Sequence, residues 1–374
     1  MNAAGPVHVV IAGGGTGGHT SPGLAVATLL RERSKTCAWI GSRFGIEAQR
    51  VPPTGIPYVA ISTGKLRRYW ACQNVADLVV NVPAGMLGAI RALRALRPRV
   101  VFGTGGFVAL PVVFGAALLR VPVVLHEQTA VPGLANRICA RFARRIAVTF
   151  PDRDGKFPAS RVVVTGNPLR PELRQGSRSS VIAQFQLDPA VPLVYVTGGA
   201  QGAHRINRVV GEALAQLTEH AQIIHQCGDN PTTGDRRWLE ERRTALPPAL
   251  ARRYTVVPYV GAELAGIYAA AALVVARAGA GTVNECCQLG VPALYIPLPG
   301  TRGDEQTENA RMVERVGGAV VLPQSMLTAV RLVEDIRRLL ADPARLKQMG
   351  EHARTLAVPD AADRIVAVLS GFCA

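Results

Sequence analysis

Aromatic residues are scarce in this chain: phenylalanine, tyrosine and tryptophan together make up only 5% of its 374 residues. Alanine, valine, leucine and glycine dominate instead, a composition typical of a parallel sheet that is covered by helices. A chain of this length exceeds what one hydrophobic core usually serves, so two domains of ordinary size are expected.

Long hydrophobic runs are also missing. The longest uncharged apolar stretch, residues 107–119, is thirteen residues long, which is short of the about 20 that a helix needs to cross a bilayer. The N-terminus leads directly into a predicted strand and lacks the charged segment and apolar core of a secretory signal. The sequence therefore predicts neither an integral membrane protein nor a signal peptide.

Paired cysteines are absent. The seven cysteines form no C-x-x-C motif and are odd in number, which favours reduced thiols in a cytoplasm. Cys286 and Cys287 are adjacent on a predicted helix, and we interpret them as buried core residues.

Acidic residues are few in the first half of the chain. Residues 1–165 contain 20 Lys and Arg against 6 Asp and Glu, whereas residues 166–374 contain 22 against 20. Such an excess predicts an anionic partner. Apolar residues accompany the basic ones, which favours an anionic membrane surface over nucleic acid, where stacking aromatics are expected as well. The basic clusters are residues 65–68, 91–99 and 137–145, and the accompanying apolar residues are Tyr69, Trp70, Leu78, Val79, Val80, Met86 and Leu87.

Two glycine-rich loops are the most informative features that the chain does have. One reads AGGGTGGH at residues 12–19, and the other reads TGGAQGA at residues 197–203. Each follows a short β-branched run and opens into a predicted helix, so backbone N–H groups and the positive end of a helix dipole are presented to an anion. Two such loops half a chain apart predict two Rossmann-like domains that face each other across a cleft and bind a phosphate-containing ligand.

Strand and helix patterns alternate along the sequence, which predicts a doubly wound α/β architecture. Asn167-Pro168 and Arg170-Pro171 interrupt the alternation. We therefore expect an N-terminal domain (1–166), a linker (167–190), a C-terminal domain (191–358) and a final segment (359–374) with a helix over 361–370. The predicted strands are 7–11, 37–40, 100–102, 122–126, 145–149, 162–165, 193–197, 222–226, 254–259, 272–276 and 293–297.

The first loop by itself matches the dinucleotide-binding fingerprint, with glycines at positions 13, 15 and 18. That fingerprint also needs an acidic residue at the end of the second strand, whereas strand 37–40 is followed by Gly41-Ser42-Arg43. Because Arg43 suits a 2′-phosphate, an NADP-dependent oxidoreductase stays an alternative. His19 argues against it, since a simple cofactor site needs no titratable group there.

A third glycine-containing segment follows predicted strand 272–276. Residues 276–285 read ARAGAGTVNE, with Thr282 and Glu285 at capping-box spacing. Two interpretations are open: the two side chains cap the helix, or the glycines admit a nucleotide and Glu285 binds its ribose hydroxyls. Farther on, residues 303–310 read GDEQTENA after strand 293–297, at a strand end where open α/β sheets bind ligands.

Taken in order, these motifs resemble the MurG family of peptidoglycan GlcNAc transferases. The resemblance extends from about residue 7 to residue 370 and covers nearly the whole chain. It rests on GGTGGH at 14–19, SPGLA at 21–25, HEQ at 126–128, GNP at 166–168, GGAQGA at 198–203, and the segments 276–285 and 304–310.

The resemblance implies a GT-B fold, in which the first domain binds the acceptor, the second binds UDP-GlcNAc and the final helix crosses back to the first. It implies an inverting transferase that moves GlcNAc to the C4 hydroxyl of MurNAc on undecaprenyl-pyrophosphoryl-MurNAc-pentapeptide. The expected partners are these two substrates and an anionic membrane surface, with no nucleic acid. The expected location is the cytoplasmic face of the plasma membrane, with roles in cell-wall biogenesis, cell shape and cell division.

The same resemblance assigns roles to individual residues. His19 is the candidate base, for which a neutral imidazole near pH 7 is suited, and Glu127 orients that base or the acceptor. Val260 faces uracil with its backbone, and Gln306, beside Glu305, binds GlcNAc. The amides of residues 199–202 and the Arg170 side chain stabilise the departing UDP. The expected donor-binding residues are Thr16, Gly17, Gly18, Thr129, Arg170, Gly199, Ala200, Gln201, Val260, Ala280, Gly281, Thr282, Glu285 and Gln306.

Three positions depart from the family pattern. Ala200 stands where serine is frequent, Thr129 where asparagine is frequent and Phe107 where tyrosine is frequent. The changes at 200 and 107 each remove a hydroxyl group, and Thr129 has a shorter reach than asparagine. The exact donor contacts are therefore open, and a related UDP-sugar glycolipid transferase stays an alternative.

No group of residues has convincing metal-ligand spacing, and Asp152 and Asp154 are interpreted as a solvated loop. We therefore expect neither a metal nor a cofactor. A UDP-GlcNAc epimerase and a non-catalytic UDP-sugar or glycolipid binder complete the alternatives.

Overall fold

The computed structural model describes residues 6–15, 17–63, 82–151 and 155–373, and it divides the chain into two compact units. The first unit comprises Met1–Arg170 and Val358–Ala374, and the second comprises Pro171–Ala357. The division lies within the stretch 167–190 that the sequence assigns to a linker.

The first unit is a doubly wound α/β domain with a seven-stranded parallel sheet. The strand order is 3-2-1-4-5-6-7. Strands 1 and 4 are neighbours, and from them the chain builds the sheet outward toward its two opposite edges. The strands are β1 (Val9–Gly13), β2 (Cys37–Ser42), β3 (Tyr58–Ile61), β4 (Val100–Gly105), β5 (Val123–Glu127), β6 (Arg145–Val148) and β7 (Val162–Val164). The helices preceding the division are α1 (Gly17–Glu32), α2 (Ile46–Arg50), α3 (Val82–Leu96), α4 (Ala109–Leu118) and α5 (Leu134–Cys139).

The second unit repeats this topology with a six-stranded parallel sheet in the order 10-9-8-11-12-13. Its strands are β8 (Leu193–Thr197), β9 (Gln222–Gln226), β10 (Tyr254–Val257), β11 (Ala271–Ala276), β12 (Ala293–Tyr295) and β13 (Ala319–Val321). Its helices are α6 (Arg178–Phe185), α7 (His204–Glu212), α8 (Leu214–His220), α9 (Asp235–Thr244), α10 (Pro248–Ala251), α11 (Leu264–Ala270), α12 (Ala280–Leu289), α13 (Glu305–Arg315), α14 (Ala329–Leu340) and α15 (Pro343–Arg354).

The last helix, α16, spans Ala361–Ser370, the residues that the sequence predicts. It belongs to the first unit, where Ile365 and Leu369 join the hydrophobic core on one face of the sheet together with Ile11 and Trp39. The opposite face of the same sheet packs against α3 and α4. Both faces of the strands are therefore buried, which explains their nearly continuous apolar sequences.

The predicted fold class is confirmed, since both units are Rossmann-like parallel sheets covered by helices. Two strands were missed. β3 and β13 lie at sheet edges, are only four and three residues long and are partly exposed, so neither produces a long apolar run. The sheet orders place the switch points at the loops that follow β1 and β4 in one unit, and β8 and β11 in the other. Those are the positions where such sheets bind ligands.

No helix among the described residues is long and apolar enough to span a membrane. Six cysteines within the described ranges are free and buried, including Cys286 and Cys287, as predicted. Cys72 lies outside those ranges, as do residues 65–68 of the first basic cluster and five of the apolar residues near it, Tyr69, Trp70, Leu78, Val79 and Val80.

Candidate active site

His19 is the third residue of α1 and the last residue of the first glycine-rich loop. The Thr104 hydroxyl donates a hydrogen bond of 2.7 Å to the His19 carbonyl and so ties this turn to the end of β4. The imidazole ring lies against Gly105, where a Cβ would be 2.8 Å from His19 Cδ2 and 3.1 Å from Nε2. Gly105 also has a φ of 100°, so steric space and backbone conformation both require glycine here.

Burial of the His19 side chain determines its protonation state. Burial lowers the pKa of His19 to about 4, and the nearby Glu47 carboxylate opposes that shift only in part. The imidazole is therefore neutral at pH 7, the protonation state that a general base requires.

Glu47 was not predicted from the sequence, although its carboxylate accepts a hydrogen bond from the glycine-rich loop. It is completely buried. Its Oε2 accepts from the Gly15 N–H at 2.8 Å, and its Oε1 accepts from the Ser42 N–H at 3.0 Å and the Ser42 hydroxyl at 2.5 Å. The Gly15 amide is thus occupied by a carboxylate and not available to a dinucleotide pyrophosphate, which argues against the NADP alternative.

Glu127, at the end of β5, organises the loop that follows it. Oε1 accepts from the Thr129 N–H at 3.0 Å, and Oε2 accepts from the Gly133 N–H and Asn136 Nδ2, each at 3.0 Å. The Thr129 hydroxyl lies 2.7 Å from Oε1 and from the Val131 carbonyl. Burial raises the pKa of Glu127, although these hydrogen bonds favour the ionised form. The predicted role in orienting the base or the acceptor remains a prediction.

Three buried polar atoms near His19 have no hydrogen-bond partner among the described residues: His126 Nδ1, Gln128 Oε1 and Asn136 Oδ1. The Asn136 amide nitrogen lies 3.4 Å from the position of a Cβ on Gly105, the same position that His19 approaches. The Gln128 amide nitrogen lies 3.1 Å from a Cβ position on Gly18. Buried acceptors of this kind are normally satisfied, so the surroundings of His19 fit a ligand that carries hydroxyl or amide donors.

The remaining predicted residues of the first unit are placed as follows. Gly17 and Gly18 form the first turn of α1, and Thr16 lies outside the described residues. Phe107 is 41% exposed after β4. Arg170 is partly buried and is the last residue before the division between the units.

The second glycine-rich loop presents two backbone amides to solvent. Gly199 has a φ of 81°, its N–H donates to the Thr197 hydroxyl at 3.0 Å, and its carbonyl accepts from the Gly202 N–H at 3.0 Å. The N–H groups of Ala200 and Gln201 donate to no described residue, and both residues are exposed. The loop leads into α7, whose first turn contains no acidic residue. These features together fit a diphosphate.

Gln226, at the end of β9, is a second residue that was not predicted. Its buried carboxamide donates to the Gly199 carbonyl at 2.9 Å and accepts from the Val260 N–H at 2.9 Å. The predicted contact between the Val260 backbone and uracil is therefore restricted to the carbonyl group, which accepts no hydrogen bond from the described residues.

The segment 276–285 does not form a capping box. Helix α12 begins at Ala280 with Gly279 as its N-cap and no side-chain cap, so Thr282 is the third helical residue. A Cβ placed on Gly279 or Gly281 would have no atom within 4 Å, so the helix start is open to a ligand. Glu285 accepts a hydrogen bond of 2.8 Å from the Tyr268 hydroxyl, which fixes the carboxylate that is predicted to bind ribose.

Two further polar side chains follow β11 and β12 in the sequence. Arg277 is 9% exposed and donates to the carbonyls of Ile296 and Pro297 at 2.9 and 3.1 Å. Burial lowers the pKa of Arg277 to about 10, so it remains charged at neutral pH. Gln306 is partly buried in α13, and its Oε1 accepts from the Leu298 N–H at 3.0 Å. Its amide nitrogen is the group left for a sugar hydroxyl.

No group of three His, Cys, Asp or Glu side chains within the described ranges is arranged to bind a metal ion. Asp152 and Asp154 fall outside those ranges. The expectation of a metal-independent reaction remains a prediction.

A basic cavity lies on the first unit at the amino ends of β5, β6 and β7, opposite the sheet edge that carries His19. Its volume is about 1130 Å³, and no acidic residue lines it. Phe142 lines the cavity, is 40% exposed and contacts Phe114 at a ring distance of 4.8 Å. Leu118, which follows the lining residue Ala117 in the sequence, is 67% exposed. The arginines that line the cavity are Arg120, Arg141, Arg144, Arg145 and Arg161.

The two halves of the chain match the two domains of one known glycosyltransferase family. Residues 9–148 match the glycosyltransferase family 28 N-terminal domain, and residues 193–365 match the glycosyltransferase family 28 C-terminal domain.

Relatives match over nearly the whole length. The chain is 40% identical over 361 residues to a protein of Halorhodospira halophila (96% of this chain, 97% of that protein), named UDP-N-acetylglucosamine--N-acetylmuramyl-(pentapeptide) pyrophosphoryl-undecaprenol N-acetylglucosamine transferase. A Bacillus cereus protein of the same name, numbered 2, is 38% identical over 335 residues (88% and 91%). The crystal structure of Acinetobacter baumannii MurG has 30% sequence identity and a TM-score of 0.73, covering 98% of this chain and 100% of that one.

Proposed function

This chain belongs to glycosyltransferase family 28 and, within it, to the MurG family, and we propose on that premise how its two units carry out GlcNAc transfer. The reaction is the transfer of GlcNAc from UDP-GlcNAc to undecaprenyl-pyrophosphoryl-MurNAc-pentapeptide, as the names of its relatives state. This transfer is a step of peptidoglycan synthesis.

The first unit supplies the base. The neutral imidazole of His19 accepts the proton of the MurNAc C4 hydroxyl while that oxygen attacks the anomeric carbon of GlcNAc and the bond to UDP breaks. Gln128 and Asn136 bind donor groups of the acceptor sugar through their buried oxygens. Glu127 acts indirectly, since its carboxylate holds Asn136 and the 129–133 loop.

The second unit binds the donor. The amides of Ala200 and Gln201 and the N-termini of α7 and α12 stabilise the negative charge that develops on the departing diphosphate. Glu285 accepts hydrogen bonds from the ribose, the Val260 carbonyl accepts from uracil, and the Gln306 amide donates to GlcNAc. Arg170, the last residue of the first unit before the division, contributes positive charge to the departing UDP.

The observation that carries this mechanism is the His19 imidazole, which is kept neutral by burial and flanked by buried acceptors without partners. The test measures UDP release from UDP-GlcNAc with and without a short-chain lipid-linked MurNAc-pentapeptide. We expect acceptor-dependent release in the wild type and a loss of at least about 100-fold in His19→Ala. Acceptor-dependent release that survives the substitution would remove His19 as the base.

The basic cavity supports a further part of the proposal, namely binding to the anionic cytoplasmic face of the plasma membrane. Arg120, Arg141 and Arg144 are exposed, and their side chains form no ion pair or hydrogen bond with described residues. Each basic group near an anionic bilayer contributes about 1 kcal/mol of attraction. Leu118 and Phe142 add apolar area that can enter the interface. Association of this kind keeps the enzyme at the surface where its lipid-linked acceptor resides.

A further inference from the structure

Gln226 connects two parts of the second unit that the proposed function uses separately. One part is the glycine-rich loop after β8, which presents amides to the diphosphate. The other is the segment after β10, in which Val260 faces uracil. The carboxamide of Gln226 is 5% exposed and spans from one part to the other.

The hydrogen bonds determine the orientation of this carboxamide. Nε2 donates to the Gly199 carbonyl at 2.9 Å, whereas Oε1 accepts from the Val260 N–H at 2.9 Å and from the Tyr195 hydroxyl at 3.3 Å. A flipped amide would place its NH₂ group against the Val260 N–H and its oxygen against the Gly199 carbonyl. Only one orientation therefore satisfies all three partners.

The bond to Gly199 determines which groups of the loop are available to a ligand. In a trans peptide the carbonyl and the following N–H point in opposite directions. Because Gln226 and the Gly202 N–H both hold the Gly199 carbonyl toward the protein, the Ala200 N–H of the same peptide points away from it. This N–H is one of the two that donate to no described residue.

The bond to Val260 acts in the same way on the second segment. The Val260 N–H is held by Oε1 of Gln226, so the backbone at this position offers its carbonyl to a ligand. A carbonyl accepts from N3–H of uracil, whereas N3 of cytosine carries no proton in this position and repels it. Because Gln226 leaves the Val260 carbonyl as the backbone group available to the base, it favours uracil over cytosine.

We propose that Gln226 is a positioning residue that sets the diphosphate-binding amide of Ala200 and the base-selective carbonyl of Val260 together, so that phosphate binding and uracil selection depend on one side chain. This inference rests on the proposed function, because it assumes that the second unit binds a uridine diphosphate.

The test compares Gln226→Leu with a matched control on the same strand. Gln222 is also a buried glutamine of β9, but it bonds to Asp188 and Val191 at the other end of the strand. Both leucine variants lose a buried carboxamide, and only the change at 226 removes the contacts to Gly199 and Val260. Thermal unfolding identifies the folded fraction of each variant, and calorimetry gives the dissociation constants of UDP and CDP.

We expect Gln226→Leu to weaken UDP binding at least about tenfold and to reduce the UDP-over-CDP preference at least about fivefold, with Gln222→Leu close to wild type in both. The KM for the acceptor should stay unchanged. A second variant, Gln226→Glu, retains size and should recover UDP affinity at low pH, where a protonated carboxyl can again donate to the Gly199 carbonyl.

Wild-type UDP affinity and preference at pH 7 in a folded Gln226→Leu or Gln226→Glu protein would overturn the inference. Equal losses in the 222 and 226 variants would also overturn it, because they would indicate a purely structural effect. A wild-type protein that binds no UDP would instead contradict the proposed function, so the two failures are distinguishable.

Discussion

The Glu47 carboxylate accepts a hydrogen bond of 2.8 Å from the backbone N–H of Gly15, and so a buried acidic side chain supports the glycine-rich loop of the first unit. We expect Glu47→Gln to lower kcat at least about tenfold, because an amide cannot accept from all three of the present donors and the loop beside His19 loses its geometry. The unmade hydrogen bond should also cost about 1–3 kcal/mol of stability.

Initial rates and urea unfolding of Glu47→Gln test this prediction. The control is Glu32→Gln, which removes an exposed carboxylate at the end of α1. A Glu47→Gln enzyme with wild-type kcat would mean that the loop does not depend on this carboxylate.

The lowered pKa of His19 predicts an unusual pH profile. If His19 is the base, kcat/KM should change by less than about twofold between pH 7 and pH 5.5, because the pKa of the buried imidazole is about 4. A base with the ordinary pKa near 6.5 would lose about tenfold over that range. The measurement is kcat/KM against pH in the wild type, and a tenfold decline by pH 5.5 would contradict the assignment.

His225 in the second unit predicts a pH dependence of stability. It is fully buried between Tyr254 and Asn207, with ring-nitrogen distances of 2.8 and 3.0 Å, and burial lowers its pKa to about 3. Between about pH 6.5 and pH 3 the unfolded chain binds a proton at this residue and the folded chain does not. Stability therefore falls as the pH drops, by about 2 kcal/mol at pH 5 for this group.

Urea unfolding at pH 7 and pH 5 measures this effect. In His225→Gln the difference in the free energy of unfolding between pH 7 and pH 5 should shrink by about 2 kcal/mol. His220→Gln, at an exposed position in the same unit, should leave that difference unchanged. An unchanged difference in His225→Gln would show that this histidine is not the titrating group.

Charge reversal in the basic cavity should weaken membrane binding. We expect Arg141→Glu with Arg144→Glu to reduce co-sedimentation with vesicles of anionic phospholipid at least about tenfold at physiological salt, because up to four units of charge change next to the bilayer. Binding of the wild type should decline with added salt and be weak on vesicles of neutral lipid.

The control is Arg252→Glu, an exposed arginine of the second unit outside the cavity. UDP release in detergent, without vesicles, should be close to wild type in the double variant, since the cavity lies at the sheet edge opposite His19. Undiminished vesicle binding would assign membrane association to another surface.

The sequence predicted most of the fold because each strand of a doubly wound sheet is buried on both faces and so appears as a short apolar run. β8 and β9, for example, have the predicted bounds. The two strands that were missed, β3 and β13, lie at sheet edges and are partly exposed, which removes that signal. Thr282 and Glu285 have the spacing of a capping box, but the helix starts earlier, at Ala280, because the backbone turns at Gly279.

The sequence by itself determined the two parallel-sheet domains, the glycine-rich loops and the family, since these depend on local patterns and on the order of motifs along the chain. Only the tertiary structure brought Glu47 to Gly15 and Gln226 to both Gly199 and Val260, because parallel pairing aligns strand ends that are far apart in sequence. It also decided the protonation of His19, whose pKa depends on how much water the surrounding side chains exclude.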